Sequence, residues 1–461
     1  MRTLADPTQA LARGLSAIRR EYQVPESFPA DVLAEAAETA RRPLTDHVDR
    51  TALPFVTLDP ASSTDLDQAF AIERSGADLI LHYAIADVAW FVDEGGAIDA
   101  EAWRRGETLY LPDGKAGLHP PILAEGAASL LPDGPRPAVI FAVRVAPDGA
   151  ASLDGAERAI VRSRAKLAYD GVRESDLPPD FAELARRMQA AEDRRGAARV
   201  DPPEQEVAST GEGQYALVFR PRLASEAHNA ALSLATNLAV AQALQANATG
   251  LFRVMAEPDA AAVRRLRFTA RAFGLDWPEA ATLEQYERKL DAAVPVEAAF
   301  MLAIRRAGRG ASYTPYRAGV TPWHSAMAAT YAQATAPLRR LADRYVVQAA
   351  LAVANGRAVP DPVTQAFERL PKVMARADAR AGQIERAVID LAEAVMLTGK
   401  VGTAFAATVT DLDDRGARIQ LCSLPITARV DVNGMAPGDS LQVRLSAVDT
   451  DRRTIRFEPI A

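Results

Sequence analysis

The stretch from Phe55 to Glu73, FVTLDPASSTDLDQAFAIE, places three carboxylates, Asp59, Asp65 and Asp67, within nine residues. The apolar run Phe55 to Leu58 reads as a strand. Asp59-Pro60 stops it, because proline has no N–H to give to a ladder. Ala61 to Thr64 is small and polar, as a turn requires, and Leu66, Ala69, Phe70 and Ile72 resume a strand-like run. Any fold of this chain must therefore close a tight loop that gathers three negative charges. Something positive has to offset their repulsion, and hard oxygen ligands suit Mg²⁺ or Mn²⁺. Spacing alone also allows the plainer reading, an Asp-rich surface loop.

A chain of 461 residues can hold two or three domains. With 49% apolar and 25% charged residues it has the composition of an ordinary globular protein. No apolar run approaches the roughly 20 residues of a membrane span, and the first 20 residues contain no contiguous apolar segment of a secretory signal. The single cysteine, Cys422, excludes an internal disulfide and suits a reducing cytoplasm. The net charge of −7 argues against an all-over basic coat but not against a local basic groove. The five histidines are scattered without an HExxH pattern, which speaks against zinc.

Taken in order, residues 1–50 read as two short helices, one opened by Pro7 and running to about Tyr22, the other from Asp31 to Arg41. They form either a small helical module of helix-turn-helix type or an arm packed on the main body. Residues 51–161 are strand-rich. Asp78 to Val92 has the look of a buried strand, within which Asp87 reads as a hydrogen-bonded structural acid. From about 181 the period becomes helical, with a long Ala/Leu helix over 224–247, helices near 258–273, 282–292 and 295–307, and a Pro/Gly-rich loop from Tyr313 to His324. Helices over 337–355 and 362–397 follow, each with proline near its start. From Gly399 to Ala461 five short strands separated by turn residues suggest an OB-type barrel, a common oligonucleotide binder.

Three separated motifs, TLDPASSTDLDQA, HYAIADVAWFV and TAPLRRLAD, resemble the ribonuclease II/R family, the exoribonucleases with an RNB catalytic domain. RGETLYLPD, EGAASLLP and VRSRAKLAY match a shorter bacterial branch of it. The resemblance implies an α+β chain: a small helical segment 1–50, an RNB catalytic domain 51–397 with a mixed sheet surrounded by helices, and an OB-fold RNA-binding domain 398–461. Fifty residues cannot hold the two cold-shock barrels of longer members, so the expected entrance is more open, and digestion into a stem from a 3′ overhang is expected.

The resemblance also assigns roles. Asp59, Asp65 and Asp67 would bind Mg²⁺, with Mn²⁺ as the alternative. Gln68 stands at the family's fourth acidic position and joins the metal-site residues: its amide oxygen brings no negative charge but can still ligate directly or through a water; whether one ion or two bind is left open. Asp67 and Arg339 would be catalytic. Thr335 and Pro337 suggest a helix start that would put Arg339 in a first turn, near the positive dipole end. Tyr110 and Tyr169 would stack on bases, which tolerates every sequence. Glu226 would contact a ribose hydroxyl, and Arg340 and Glu385 would also touch RNA. Without the resemblance the tyrosines read as half-buried core and the glutamates as helix surface.

The implied activity is Mg²⁺-dependent 3′-to-5′ degradation of single-stranded RNA with a free 3′ end, releasing nucleoside 5′-monophosphates in the cytoplasm. A non-catalytic RNA-binding protein on the same scaffold, favoured by Gln68, and a phosphodiesterase for DNA or small nucleotides are the rival readings. Nothing in the sequence points to a membrane or a protein partner.

Overall fold

The computed structural model describes residues 2–4, 9–197, 204–211, 214–220, 223–291, 294–308, 310–413, 416–424, 426–432, 434–436 and 438–460. Its centre is a five-stranded sheet in the order Val48–Asp49, Ala151–Val161, Arg136–Val145, Asp78–Ala86 and Gln68–Ser75, antiparallel but for the first pair. Strand Asp78–Ala86 is buried on both faces, so its side chains sort by the two-residue period. Leu79, Leu81, Tyr83 and Ile85 join a core with Leu232, Ala235 and Leu238 of helix Ala224–Ala246. Ala84 and Ala86 join the opposite core with Phe55, Leu66 and Leu338. The acidic stretch and residue 338 thus share one buried layer.

Several expectations are corrected. The strand from Asp78 ends at Ala86, and Val88–Phe91 is a helical turn. Asp87 makes the break: its carboxylate, almost wholly buried, accepts from Arg158 (2.8 Å) and lies 3.2 Å from His47 Nε2, the structural role read from the sequence. The helical region contains an antiparallel hairpin, Glu204–Gly211 with Gln214–Arg220, to which Arg2–Leu4 adds a third strand. Tyr313 lies not in a loop but in strand Ala311–Pro315, paired with Leu251–Met255. The first helix spans Ala10–Glu21; Pro7 lies outside the described residues.

The C-terminal strands Ala404–Asp413, Gly416–Leu421, Thr427–Val430, Ser440–Asp449 and Thr454–Pro459 form one five-stranded sheet. Its two outer strands lie against each other and curl it into a nearly closed barrel. Helix Asp361–Leu397, 37 residues long, carries the barrel. Its C-terminal half, the barrel and helix Ala10–Glu21 share one apolar core, in which Leu11, Leu15 and Ile18 meet Ile384 and Leu391. Gly14 permits that approach, since a Cβ there would strike the Leu391 side chain. Among the described residues no helix is long and apolar enough to cross a membrane.

A helical cap packs around Phe300, Tyr286 and Trp277, the last two stacked with ring centroids 5.3 Å apart. Glu287 beside them is 4% exposed. Burial, reinforced by Glu284, pushes its carboxyl up to about 8. An acid whose folded pKa exceeds its unfolded one costs stability once pH rises above the unfolded value, and the cost grows until the folded pKa is passed. Glu287→Gln removes the charge at nearly constant shape. We expect it to raise the Tm by a few degrees at pH 8, corresponding to roughly 1 kcal/mol, and to leave it unchanged at pH 4. Thermal melts of both proteins at the two pH values check this.

Candidate active site

Asp59 is the last residue of strand Thr57–Asp59, which runs parallel to Lys166–Ala168. The chain then loops back to enter strand Gln68–Ser75. The loop is pinned from EGAASLLP: Ser129 Oγ accepts from the Leu66 N–H (2.9 Å) and donates to the Thr64 carbonyl (2.7 Å). Lys166 Nζ donates to the Ala61 carbonyl (2.8 Å). These tethers stop the acids from swinging away from one another.

Asp67 is buried and faces residues 336–340. Its Oδ1 accepts from the Leu338 N–H (2.7 Å), and its Oδ2 lies 3.4 Å from Arg339 Nε. Asp59 Oδ2 is buried without a hydrogen-bond partner. Burial pushes Asp59 up to about 6 and Asp67 up to about 7, with Arg339 opposing both shifts. The two carboxyls are therefore short of positive charge. Asp65 lies against Lys115 Nζ (2.8 Å), which also reaches Glu125 Oε1 (3.1 Å), and the Tyr110 hydroxyl donates to its other oxygen (3.4 Å). Burial alone would lower the Lys115 pKa, but the two carboxylates raise it. Gln68 Oε1 accepts from the buried Tyr83 hydroxyl (2.7 Å).

Arg339 does not sit in a helical first turn. Helix Leu341–Ala354 begins two residues later, and Arg340 takes the extended cap position at φ −131°, ψ 124°. The cause is a bridge between Glu107 and Arg340, flanked by the Thr108 N–H to the Arg339 carbonyl (3.0 Å) and the Leu341 N–H to the Gly106 carbonyl (3.0 Å). Gly106 has φ +78° and packs so close to Ala377 that a Cβ would overlap it. Asp343 completes the turn, accepting from the Ala336 N–H (2.8 Å) and from Arg340 Nε (2.9 Å) and Nη2 (2.8 Å). The Arg340 guanidinium is thereby turned inward, whereas the Arg339 side chain is 47% exposed beside Asp67.

Tyr110 is 57% exposed above Asp65, so its ring face is free. Tyr169 is half-buried; its N–H donates to the Asp59 carbonyl (3.2 Å), and its hydroxyl accepts from Asn229 Nδ2 (2.9 Å). Glu226 lies close enough to Tyr169 to raise its pKa, and also closes a helix cap on the Leu223 N–H (2.9 Å). Glu385 is elsewhere: it lines a surface cleft between its helix and the barrel, with Arg386, Asp390 and Arg418. Sequence reasoning missed Lys115, Glu125 and Asn229. Glu125 lay inside a motif of the shorter branch; Lys115 and Asn229 carried no local signal.

Among the described residues no three His, Cys, Asp or Glu side chains converge into a ready-made metal cage. Mg²⁺ does not demand one, since it is commonly held by one or two carboxylates plus water and substrate phosphate. Asp59, with its orphaned buried oxygen, and Asp67 fit that pattern.

The RNB domain family model matches residues 47–354, and the RNase II-type exonuclease C-terminal S1 domain matches residues 403–460. Ribonuclease R of Aquifex aeolicus is 25% identical over 97% of this chain and 70% of its own length. Ribonuclease R of Escherichia coli is 24% identical over 96% of the chain, and Exoribonuclease 2 of Cronobacter sakazakii is 30% identical over 81% of it. The chain covers only 61% of the length of each of the latter two. Mycoplasma genitalium RNase R, solved in complex with ribose-methylated single-stranded RNA, superposes with a TM-score of 0.86 at 20% identity, over 100% of this chain and 79% of that one. Yeast Ssd1, described as a pseudonuclease, superposes with a TM-score of 0.70 at 17% identity, over 96% of this chain and 57% of that one. With an RNB match across well over half its length and an S1 match behind it, the chain belongs to the RNB-domain family of ribonuclease II-type proteins.

Proposed function

We propose that this protein is a Mg²⁺-dependent exoribonuclease that degrades single-stranded RNA from a free 3′ end and releases nucleoside 5′-monophosphates. The observation that carries the reading is buried Asp67 lying 3.4 Å from the half-exposed guanidinium of Arg339, on the same loop as Asp59, whose buried Oδ2 has no hydrogen-bond partner. Curated relatives named Ribonuclease R and Exoribonuclease 2 support it.

Asp59 and Asp67 would hold the cation, and Mn²⁺ would fit the same oxygens. Bound there, it supplies Lewis-acid polarisation of the phosphoryl group and a more acidic water. The chain's own residues do the rest. Arg339, anchored through its carbonyl and with its side chain half exposed beside Asp67, offers N–H donors where negative charge grows on the phosphoryl oxygens. Tyr110 and Tyr169 offer ring faces on either side of the acidic loop, a sequence-tolerant platform for bases near a 3′ end. Glu226, beside Tyr169, is positioned to accept from a ribose 2′-hydroxyl, the group by which a site distinguishes RNA from DNA. Arg340 acts through Asp343 on the turn carrying Arg339, and Glu385 would meet RNA only near the barrel.

A second reading, a non-catalytic RNA-binding protein, draws on Gln68, whose side-chain oxygen faces Tyr83, and on the likeness to the pseudonuclease Ssd1. End-labelled poly(A) and its deoxy counterpart, incubated with Mg²⁺, separate the two. Stepwise mononucleotide release from the ribo-polymer is expected; binding without release would establish the second reading.

Two variants test the roles. Asp67→Asn should lower turnover on the order of 100-fold or more, about 2.7 kcal/mol of barrier, while RNA affinity stays within about threefold. Near-normal turnover would remove Asp67 from the metal site. Arg339→Ala should lower kcat by about 10²–10³-fold, the scale for losing a donor to developing charge, with little change in RNA Kd. A collapse of affinity at constant kcat would make Arg339 a docking residue instead. Single-turnover cleavage and filter binding measure both.

A further inference from the structure

The acidic stretch divides into two unlike halves. Asp67 contacts the Arg339 loop, and Asp59 Oδ2 is buried with no hydrogen-bond partner among the described residues. Asp65 has both oxygens engaged, one by Lys115 Nζ at 2.8 Å and the other by the Tyr110 hydroxyl at 3.4 Å. Lys115 Nζ is at the same time 3.1 Å from Glu125 Oε1. A single ammonium thus bridges two carboxylates at the rim of the cleft, the position a cation linking them would take. Next to Asp67 in sequence, the residue that could have added a further charge is Gln68, and its oxygen accepts from the Tyr83 hydroxyl at 2.7 Å.

Two-ion phosphoryl-transfer sites use the second ion to stabilise one of the two oxygens of the in-line displacement, with the ions about 3.5–4 Å apart. That arrangement needs enough carboxylate charge to hold four positive charges. Asp65 and Glu125 already have a cation between them, Lys115 Nζ at 2.8 Å and 3.1 Å. That leaves Asp59 and Asp67 as the acids of this stretch open to a metal ion, and one or two carboxylates with water and substrate phosphate suffice to hold one.

Resting on the proposed nuclease reading, we propose that Lys115 takes the place of a second divalent cation: its ammonium holds Asp65 and Glu125, and the cleft binds one metal ion, at Asp59 and Asp67. Lys115 is then a built-in, non-exchanging positive charge on the hairpin Leu109–Leu111 with Gly114–Ala116, where it stands opposite Tyr110. Lysine suits the task, because its compact ammonium on a flexible stem can sit between two carboxylates as a point charge. Without it, Asp65 and Glu125 would stand as two like charges with only the Tyr110 hydroxyl donating to Asp65, a pair that attracts a cation.

The test counts ions and does not depend on cleavage. The full chain is titrated with Mn²⁺ in the presence of excess AMP, which supplies a phosphate and has no phosphodiester to cut, and free Mn²⁺ is followed by electron paramagnetic resonance against an AMP-only blank. Wild type and Lys115→Arg should each bind one Mn²⁺. Lys115→Ala should bind two, the second at least tenfold more weakly. Two ions on the wild type, or a Lys115→Ala variant that stays at one, would overturn the proposal, and so would a chain that binds none. The wild-type count alone decides if the alanine variant does not fold. A chain that binds one ion but releases no nucleotide would refute the nuclease reading and leave the ion count standing.

Discussion

One buried hydrogen bond, from the Leu338 N–H to Asp67 Oδ1, joins segments 271 residues apart in sequence. Among the described residues the other direct tie between the acidic loop and the arginine turn, Asp67 to Arg339, is longer at 3.4 Å, and the rest of the site is organised around the shorter one. It removes the Leu338 amide from the list of buried polar groups that would otherwise be unsatisfied. It also fixes which Asp67 oxygen faces the cleft, so that the free one meets Arg339 at 3.4 Å. Removing the acid would release the turn as well as the charge. For that reason the isosteric amide is the informative substitution there, since its oxygen can still accept from Leu338.

A turn that presents an arginine to solvent while its backbone is buried needs support from several sides. Glu107 bridges Arg340, Gly106 brings the hairpin close enough to do so, and Asp343 collects the Ala336 N–H and the Arg340 guanidinium. Of two adjacent arginines, one is spent on structure so that the other can reach into the cleft. The same division applies to the acids, where Asp87 is structural and Asp59 Oδ2 is left without a hydrogen-bond partner.

Much of this was legible from local pattern. The loop between two strands, the long helices and the barrel follow from periodicity and turn residues, and Asp87 was read correctly because an acid inside an apolar run needs partners. Arg339 was displaced from its expected helical turn because the deciding interaction, the bridge to Glu107, is long-range and leaves no trace in the sequence around Thr335 and Pro337. The hairpin at 204–220 was lost among helix formers, although Tyr215, Leu217 and Phe219 alternate as strand residues do. Lys115 and Glu125 could not be paired from sequence, since only the folded hairpin brings them together. Placing Glu385 required the course of a 37-residue helix that carries it away from the acids.

Helix Ala10–Glu21 has its apolar stripe buried against a helix that begins at Asp361, and both contribute to a core shared with the barrel. During synthesis the first element emerges long before its cover. At about 5–20 residues per second the ribosome needs on the order of tens of seconds to deliver that partner. For that interval Leu11, Leu15 and Ile18 form an exposed sticky face on an otherwise growing chain. Only completion of the long helix and the barrel strands covers that face.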